Sequence, residues 1–280
     1  MAITYEQPLR QWYFEATSVW TLDYPPFFAY FEWVLARGAA WFDREMVRVG
    51  NLEYDALSVV MYQRATVVVS DLLFAYACVR YFQAEATAHK RFDLLRFVFN
   101  YASVALLILD GIHFQYNSMM YGLMILAIVF IKEVSITQCL IDIIQKSYFS
   151  SALTYAILLN FKHIYLYFAP CFGLLYLKKT VFNNGSSPSK GILNFSLLAL
   201  QTALVFAVSF GPFLNAGGFD QLQQIASRLF PFQRGLVHSY WAANVWAAMV
   251  FYNKYILNIV SGIAKGNPIH CIYDIDKEID

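Results

Sequence analysis

Apolar residues run almost unbroken over 65–82, 97–110, 117–131, 148–177, 192–214 and 242–264, and charge bounds each run. A helix of about 20 apolar residues crosses the roughly 30 Å hydrocarbon core of a bilayer. In lipid every backbone N–H and C=O must also be satisfied within its own segment. The pattern predicts an all-α fold, a polytopic transmembrane helical bundle. Composition points the same way: hydrophobic residues make up 59% and charged residues 14%, too little polar surface for a water-soluble globule. The run 97–110 is short and borrows Leu94 and Leu95.

The run 148–177 decides the topology, because Lys162 and His163 lie near its middle and Pro170 follows. An ammonium at the bilayer centre costs several kcal/mol, and an internal proline disfavours one straight helix. Two short helices with Phe161-Lys162-His163 at the turn are expected. The positive-inside rule supports this reading. Lys90, Arg91 and Arg96 of segment 83–96 and Lys178, Lys179 and Lys190 of segment 178–191 share the cytosolic side only if 148–177 crosses twice. The same count puts the first ~60 residues, 111–116, 161–163 and 215–241 on the opposite, luminal face.

Residues 1–10 contain no apolar core of a cleavable signal. Over 27–49, Phe27, Phe31, Val34, Leu35, Phe42, Met46 and Val49 recur near helical period while Glu32, Arg37, Asp43, Arg44 and Arg48 take the other positions. An amphipathic interfacial helix is expected, started by Pro25-Pro26, capped by Asp23, with Trp33 and Trp41 at headgroup depth. The domain reading is one membrane-embedded domain over 1–264 and a polar tail over 265–280. Cys78, Cys139, Cys171 and Cys271 lack zinc-site spacing, so neither metal nor cofactor is expected. A net charge of +1 without a basic stripe argues against nucleic acid.

Three stretches carry residues suited to chemistry. Asp110-Gly111-Ile112-His113-Phe114-Gln115-Tyr116-Asn117 sets an acid, an imidazole, amides and a phenol at the end of a span. Sugar hydroxyls need such paired donors and acceptors; helix-end and water satisfaction explains the same residues. Arg228 and Arg234 stand with His238 among aromatic residues up to Trp241, a set that fits a lipid-linked phosphate or arginines reaching headgroups. Lys162 and His163 could pair with phosphate or anchor their turn. Asp71, inside a span, is expected to pair with Arg64 or Arg80.

Thr17-Ser18-Val19-Trp20-Thr21-Leu22-Asp23-Tyr24-Pro25-Pro26-Phe27-Phe28-Ala29, the 110–117 stretch, Phe161-Lys162-His163-Ile164-Tyr165-Leu166-Tyr167 and the 228–241 stretch occur in this order. Together they resemble the dolichyl-phosphate-glucose-dependent α-1,3-glucosyltransferases of N-glycan assembly, over roughly residues 10–250. His238-Ser239-Tyr240-Trp241 and the Phe-Lys-His turn look like the member that adds the second glucose. The resemblance implies a GT-C enzyme of the endoplasmic reticulum membrane. Its partners would be dolichyl-phosphate glucose and a dolichyl-diphosphate oligosaccharide, and transfer would proceed with inversion. It further implies Arg228, Arg234, Lys162 and His238 at the donor phosphate, and Asp110, His113 and Gln115 at sugar or acceptor. Tyr116, His163 and Trp241 would line the substrate, with Asp23, Asp110 and His113 as catalytic candidates. In the family a span and a loop bearing the base aspartate precede the stretch that begins here at Trp12, further spans follow, and a proline is usual where Ala243 stands. The chain is therefore expected to be incomplete at both ends. A catalytically silent relative and a multi-pass transporter, the latter suggested by Asp71 and Asp110, are the competing readings.

The topology makes a first prediction at the Asn184-Gly185-Ser186 sequon, which it assigns to the cytosol. Asn184 should carry no glycan; an endoglycosidase-sensitive mass shift that disappears in Asn184→Gln would contradict the assignment.

Overall fold

The structure, a computed structural model, describes residues 1–18, 21–89, 104–136, 141–182 and 188–230. The expected span 242–264, the tail 265–280 and the site candidates Arg234, His238 and Trp241 lie outside the described residues.

Every regular element among the described residues is helical. Helix α1 (Ala2–Glu6) and a 3-10 turn (Leu9–Gln11) lead to α2 (Pro26–Phe42) and a second 3-10 turn (Arg44–Val47). The long elements follow: α3 (Leu57–His89), α4 (Val104–His113), α5 (Asn117–Ile136) and α6 (Ile141–Phe161). A 3-10 segment (His163–Phe168), α7 (Ala169–Thr180) and α8 (Pro188–Leu229) complete the set. Leu57–Ala84 and Ser189–Leu229 are each long and apolar enough to cross a bilayer.

Side-chain pairings give the directions. Thr66 meets Tyr116 at 2.9 Å and Lys132 lies 4.1 Å from the Tyr81 ring, so α3 and α5 run parallel, with α4 returning between them. Lys162 meets Asn117, and Ser151 donates to the Ala127 carbonyl at 2.7 Å, so α6 runs back along α5. The start of α5, the end of α4 and the end of α6 therefore share one end of the bundle.

The break expected inside 148–177 falls at Lys162, whose φ of −148° and ψ of 108° are extended. Beyond it the chain doubles back along α6. Tyr155 donates to the Tyr165 carbonyl at 2.8 Å and stacks on Phe172 at 4.2 Å, and Tyr176 meets Ser151 at 2.8 Å. At about 2.0 Å per 3-10 residue and about 1.5 Å per α residue, the part beyond the turn, Tyr165 to Thr180, extends roughly 26 Å, close to the thickness of a bilayer core.

Helix α8 is interrupted where the expected span ends. Gly217 (φ −153°, ψ 16°) and Gly218 (φ 67°, ψ −153°) leave helical geometry, and the Gly218 conformation is essentially restricted to glycine. The helix packs on the amino-terminal residues on both sides of this break: after it, Gln224 and Arg228 donate to the Tyr13 carbonyl, and before it Phe213 meets their rings. Trp12, Tyr13 and Phe213 form edge-to-face ring pairs there, and Tyr30 of α2 stacks on Phe213.

Three expectations are corrected. Asp23 does not cap α2: the helix starts at Pro26 with Pro25 in the N-cap position and no side-chain cap bond, while Asp23 accepts from the Thr21 hydroxyl at 2.8 Å. The interfacial helix stops at Phe42 rather than Val49. Asp43 turns extended and uses its carboxylate on the Glu45 N–H and the Tyr54 and Ser58 hydroxyls, an alternative to continuing the helix. Asp71 forms no ion pair with Arg64 or Arg80. Arg64 lies over the Phe114 ring, Arg80 donates to the Tyr76 hydroxyl, and Asp71 Oδ1 is buried without a hydrogen-bond partner.

Helices α3 and α5 cross closely because Gly122 is small: a Cβ there would stand 3.0 Å from the backbone N and Cα of Phe74. Gly122→Ala should therefore cost about 1–3 kcal/mol through forced separation of two backbones. Gly173→Ala, where nothing lies within 4 Å, should be neutral or stabilising. Thermal unfolding of both variants in detergent checks this; equal midpoints would contradict the crossing.

Candidate functional site

One carboxylate organises the shared end of the bundle. Asp110, in the last turn of α4, is 1% exposed. Its Oδ2 accepts the Ser118 N–H at 2.6 Å, at the positive end of α5 where the first N–H groups lack intrahelical partners. Its Oδ1 accepts from Asn117 Nδ2 at 2.9 Å, and the same amide nitrogen donates to Gln115 Oε1 at 2.8 Å. The Asn117 carbonyl oxygen, so oriented, accepts from Lys162 Nζ at 2.7 Å. The helix-breaking lysine of the α6 turn is thus tied through one amide to a buried acid.

These residues form one wall of a cavity of about 230 Å³. Gln115, Asn117 and Lys162 supply donors and acceptors, Phe114, Tyr116 and Phe161 supply rings, and α2 with the residue before its cap contributes Tyr24, Phe28 and Glu32. Phe114 reaches the cavity through a left-handed backbone, φ 53°, uncommon for a bulky residue and found where surrounding structure imposes it. The rings interlock: Phe31 stands perpendicular to Tyr116 at 5.0 Å, and Phe27 lies 6.1 Å from Phe161. Apolar positions of α2 therefore face inward at Phe27 and Phe31, whereas Val34, Trp41 and Phe42 are exposed, Trp41 at 91%.

Burial lowers the Lys162 ammonium pKa, and the Asp110 charge opposes that shift. Burial also lowers His163, and the neighbouring Lys162 charge adds to it. Lys162 is the only cation among the described residues that line the cavity. An ammonium has three N–H donors, so Asn117 occupies one and others can serve a ligand.

A second cluster forms where α8 meets the amino-terminal loop. Arg228 donates through Nε to the Tyr13 carbonyl at 3.2 Å and through Nη1 to the Thr21 hydroxyl at 3.1 Å, and Thr21 donates to Asp23. The Tyr13 hydroxyl donates to the Tyr24 carbonyl at 2.7 Å. Residues 21–24 thus link the Arg228 cluster to the cavity wall.

The structure gathers Asp110, Gln115, Tyr116 and Lys162 in one network or its lining, and Asp23 with Arg228 in the other. His113 is exposed at the end of α4 and does not line the cavity, and His163 is half-buried just beyond the turn. As lining residues, Phe28 and Glu32 emerge only in three dimensions. Their trace in the sequence is a spacing of four from Tyr24 through Phe28 to Glu32, which puts the last two on one helical face.

Long apolar helices with polar, aromatic-lined turns gathered at one end are the build of an all-helical GT-C membrane protein. The chain belongs to the ALG6, ALG8 glycosyltransferase family, whose model matches residues 1–273. Relatives include proteins named dolichyl pyrophosphate Glc1Man9GlcNAc2 alpha-1,3-glucosyltransferase. That of Neurospora crassa is 42% identical over 273 residues, covering 96% of this chain and 51% of the relative. Those of Gibberella zeae and Bos taurus are each 41% identical, covering 92% and 93% of this chain and 49% of each relative. The chain spans about half the length of these curated relatives.

The His163 environment generates a pH prediction. Its folded pKa lies below the ordinary 6.5, so between the two values the unfolded chain binds more protons and stability rises with pH. Stability should fall as pH drops below about 6.5, and His163→Gln should lose less between pH 7 and pH 5. Thermal midpoints at both pH values test this; identical pH dependence would contradict it.

Proposed function

We propose that this protein transfers glucose from dolichyl-phosphate glucose to a glucosylated dolichyl-diphosphate oligosaccharide, forming an α-1,3 linkage with inversion on the luminal side of the endoplasmic reticulum membrane. Membership of the glycosyltransferase family and the names of its relatives support the acceptor and linkage. The observation that carries the reading is the cavity itself, in which Lys162, two amides and several rings meet at the shared end of the helices. At about 230 Å³ it is smaller than the roughly 300–1,000 Å³ of pockets for drug-sized ligands, and it suits one sugar ring.

In the proposed reaction an acceptor hydroxyl oxygen attacks the glucose anomeric carbon in line. A carboxylate takes the hydroxyl proton, the anomeric C–O bond breaks, and the dolichyl phosphate leaves with the electron pair. Lys162 stabilises charge on the departing phosphate, and Arg228 stands beside the neighbouring loop for the same purpose. Gln115 and Tyr116 hold the sugar. Asp110, buried and with both oxygens engaged, acts through Asn117 as a positioning residue for Lys162. Asp23, held by the Thr21 hydroxyl beside Arg228, is the candidate carboxylate of the amino-terminal loop. The re-entrant turn at Lys162 supports a multi-pass topology that puts all of these residues in the lumen.

Microsomes lacking the endogenous enzyme should, on expression of this chain, transfer radiolabelled glucose from dolichyl-phosphate glucose to a one-glucose lipid-linked oligosaccharide. Lys162→Met should reduce transfer at least about tenfold, equivalent to roughly 1.4 kcal/mol of lost transition-state stabilisation. An inserted, stable chain that transfers nothing would contradict the proposal.

A further inference from the structure

Glu32 is the acidic side chain that the cavity wall presents, and the reaction described above leaves it without a role. It lines the cavity from α2, one turn beyond Phe28, whose ring packs on Tyr24 at 4.4 Å. Its side chain is 15% exposed, and Oε2 accepts from the Met1 ammonium at 2.9 Å. Among the described residues no hydrogen bond reaches Oε1. Across the cavity lie Lys162 and the amides of Gln115 and Asn117.

Charge and size narrow the ligand. A carboxylate in the wall repels an anion seated wholly inside, and an ammonium in the opposite wall repels a cation. An apolar ligand would leave the second carboxylate oxygen of Glu32 and the remaining Lys162 N–H groups covered without hydrogen-bond partners, which costs free energy. A neutral molecule rich in hydroxyls satisfies both walls. A carboxylate oxygen pair accepts from two adjacent hydroxyls, amides and an ammonium serve the others, and Phe28 and Tyr24 offer faces to ring C–H groups. The volume of about 230 Å³ accommodates one ring.

We propose that Glu32 is a specificity-determining residue that accepts hydrogen bonds from two adjacent hydroxyls of a hexopyranose held in this cavity. The assignment rests on the transferase reading for the identity of the sugar. The hexose belongs either to the donor or to the terminal glucose of the acceptor, and kinetics separates the two.

The test compares the wild-type chain, Glu32→Gln, Glu32→Asp and a chain extended before Met1 by Gly-Ser, which displaces the ammonium while keeping the carboxylate. In the microsomal transfer assay Glu32→Gln should raise KM by about tenfold or more. The rise should fall on the donor or on the acceptor, according to which supplies the hexose, with a smaller change in kcat. The extended chain should keep the wild-type KM, and Glu32→Asp should recover part of the loss. Unchanged KM for both substrates in Glu32→Gln would overturn the proposal. So would equal losses in Glu32→Gln and the extended chain, because the ion pair would then be the feature that matters. A second readout is independent of transfer: saturation-transfer NMR of methyl α-glucopyranoside with the purified chain in micelles. Signal in wild type that is lost in Glu32→Gln supports the assignment even if no glucose is transferred. Equal signals, or no signal from a folded wild-type chain, overturn it.

Discussion

A single amide links the buried acid of α4 to the lysine at the end of α6. Asn117 takes its orientation from the buried carboxylate of Asp110 and spends its carbonyl oxygen on the Lys162 ammonium, 45 residues along the chain. Removing any member leaves a buried polar group unsatisfied, at about 1–3 kcal/mol for a neutral group and more for a charged one. The same contacts set the register of α4, α5 and α6 at that end of the bundle, so the cavity exists because the network closes. Without Lys162 held there, α6 and the returning 163–180 segment would have no polar reason to part at that residue.

The second constraint is how α2 is fastened. Its alanines at 29, 36 and 39 are fully buried, which brings its backbone close to the bundle, and Phe27 and Phe31 key into Tyr116 and Phe161. Arg228, Gln224 and Tyr13 then secure the loop leading into α2. Residues 21–24 join this clamp to the cavity, so two groups of polar residues far apart in sequence act on one space. The geometry separates the side chains that line the cavity from those that hold others in place.

Much of the fold was legible before any coordinates. The Lys162 turn was, because a lone ammonium in a 30-residue apolar run has few physical solutions. The end of the α8 span was bounded well for a similar reason, with Gly217 and Gly218 supplying the break. The parts that were not legible depend on partners distant in sequence. Asp43 ends α2 through Tyr54 and Ser58, and Asp110 is buried because Asn117 and Ser118 fold over it. Asp71 lacks the arginine partner that spacing suggested, since both arginines engage rings or a hydroxyl elsewhere. Glu32 on an amphipathic helix reads as one more solvated charge until the opposite wall is known. The 110–117 and 228 stretches were found as clusters, but their division into contacting and positioning residues required distances.

The reversal at Lys162 determines which compartment the cavity serves. Impermeant maleimide labelling of single cysteines at Ile164 and at Lys179, with the native cysteines replaced by serine, in sealed microsomes tests it most directly. Both positions are exposed, one just past the turn and the other near the far end of α7. Lys179→Cys should react from the cytosolic side, while Ile164→Cys should react only after the membrane is permeabilised. Labelling of both positions from the same side would contradict it.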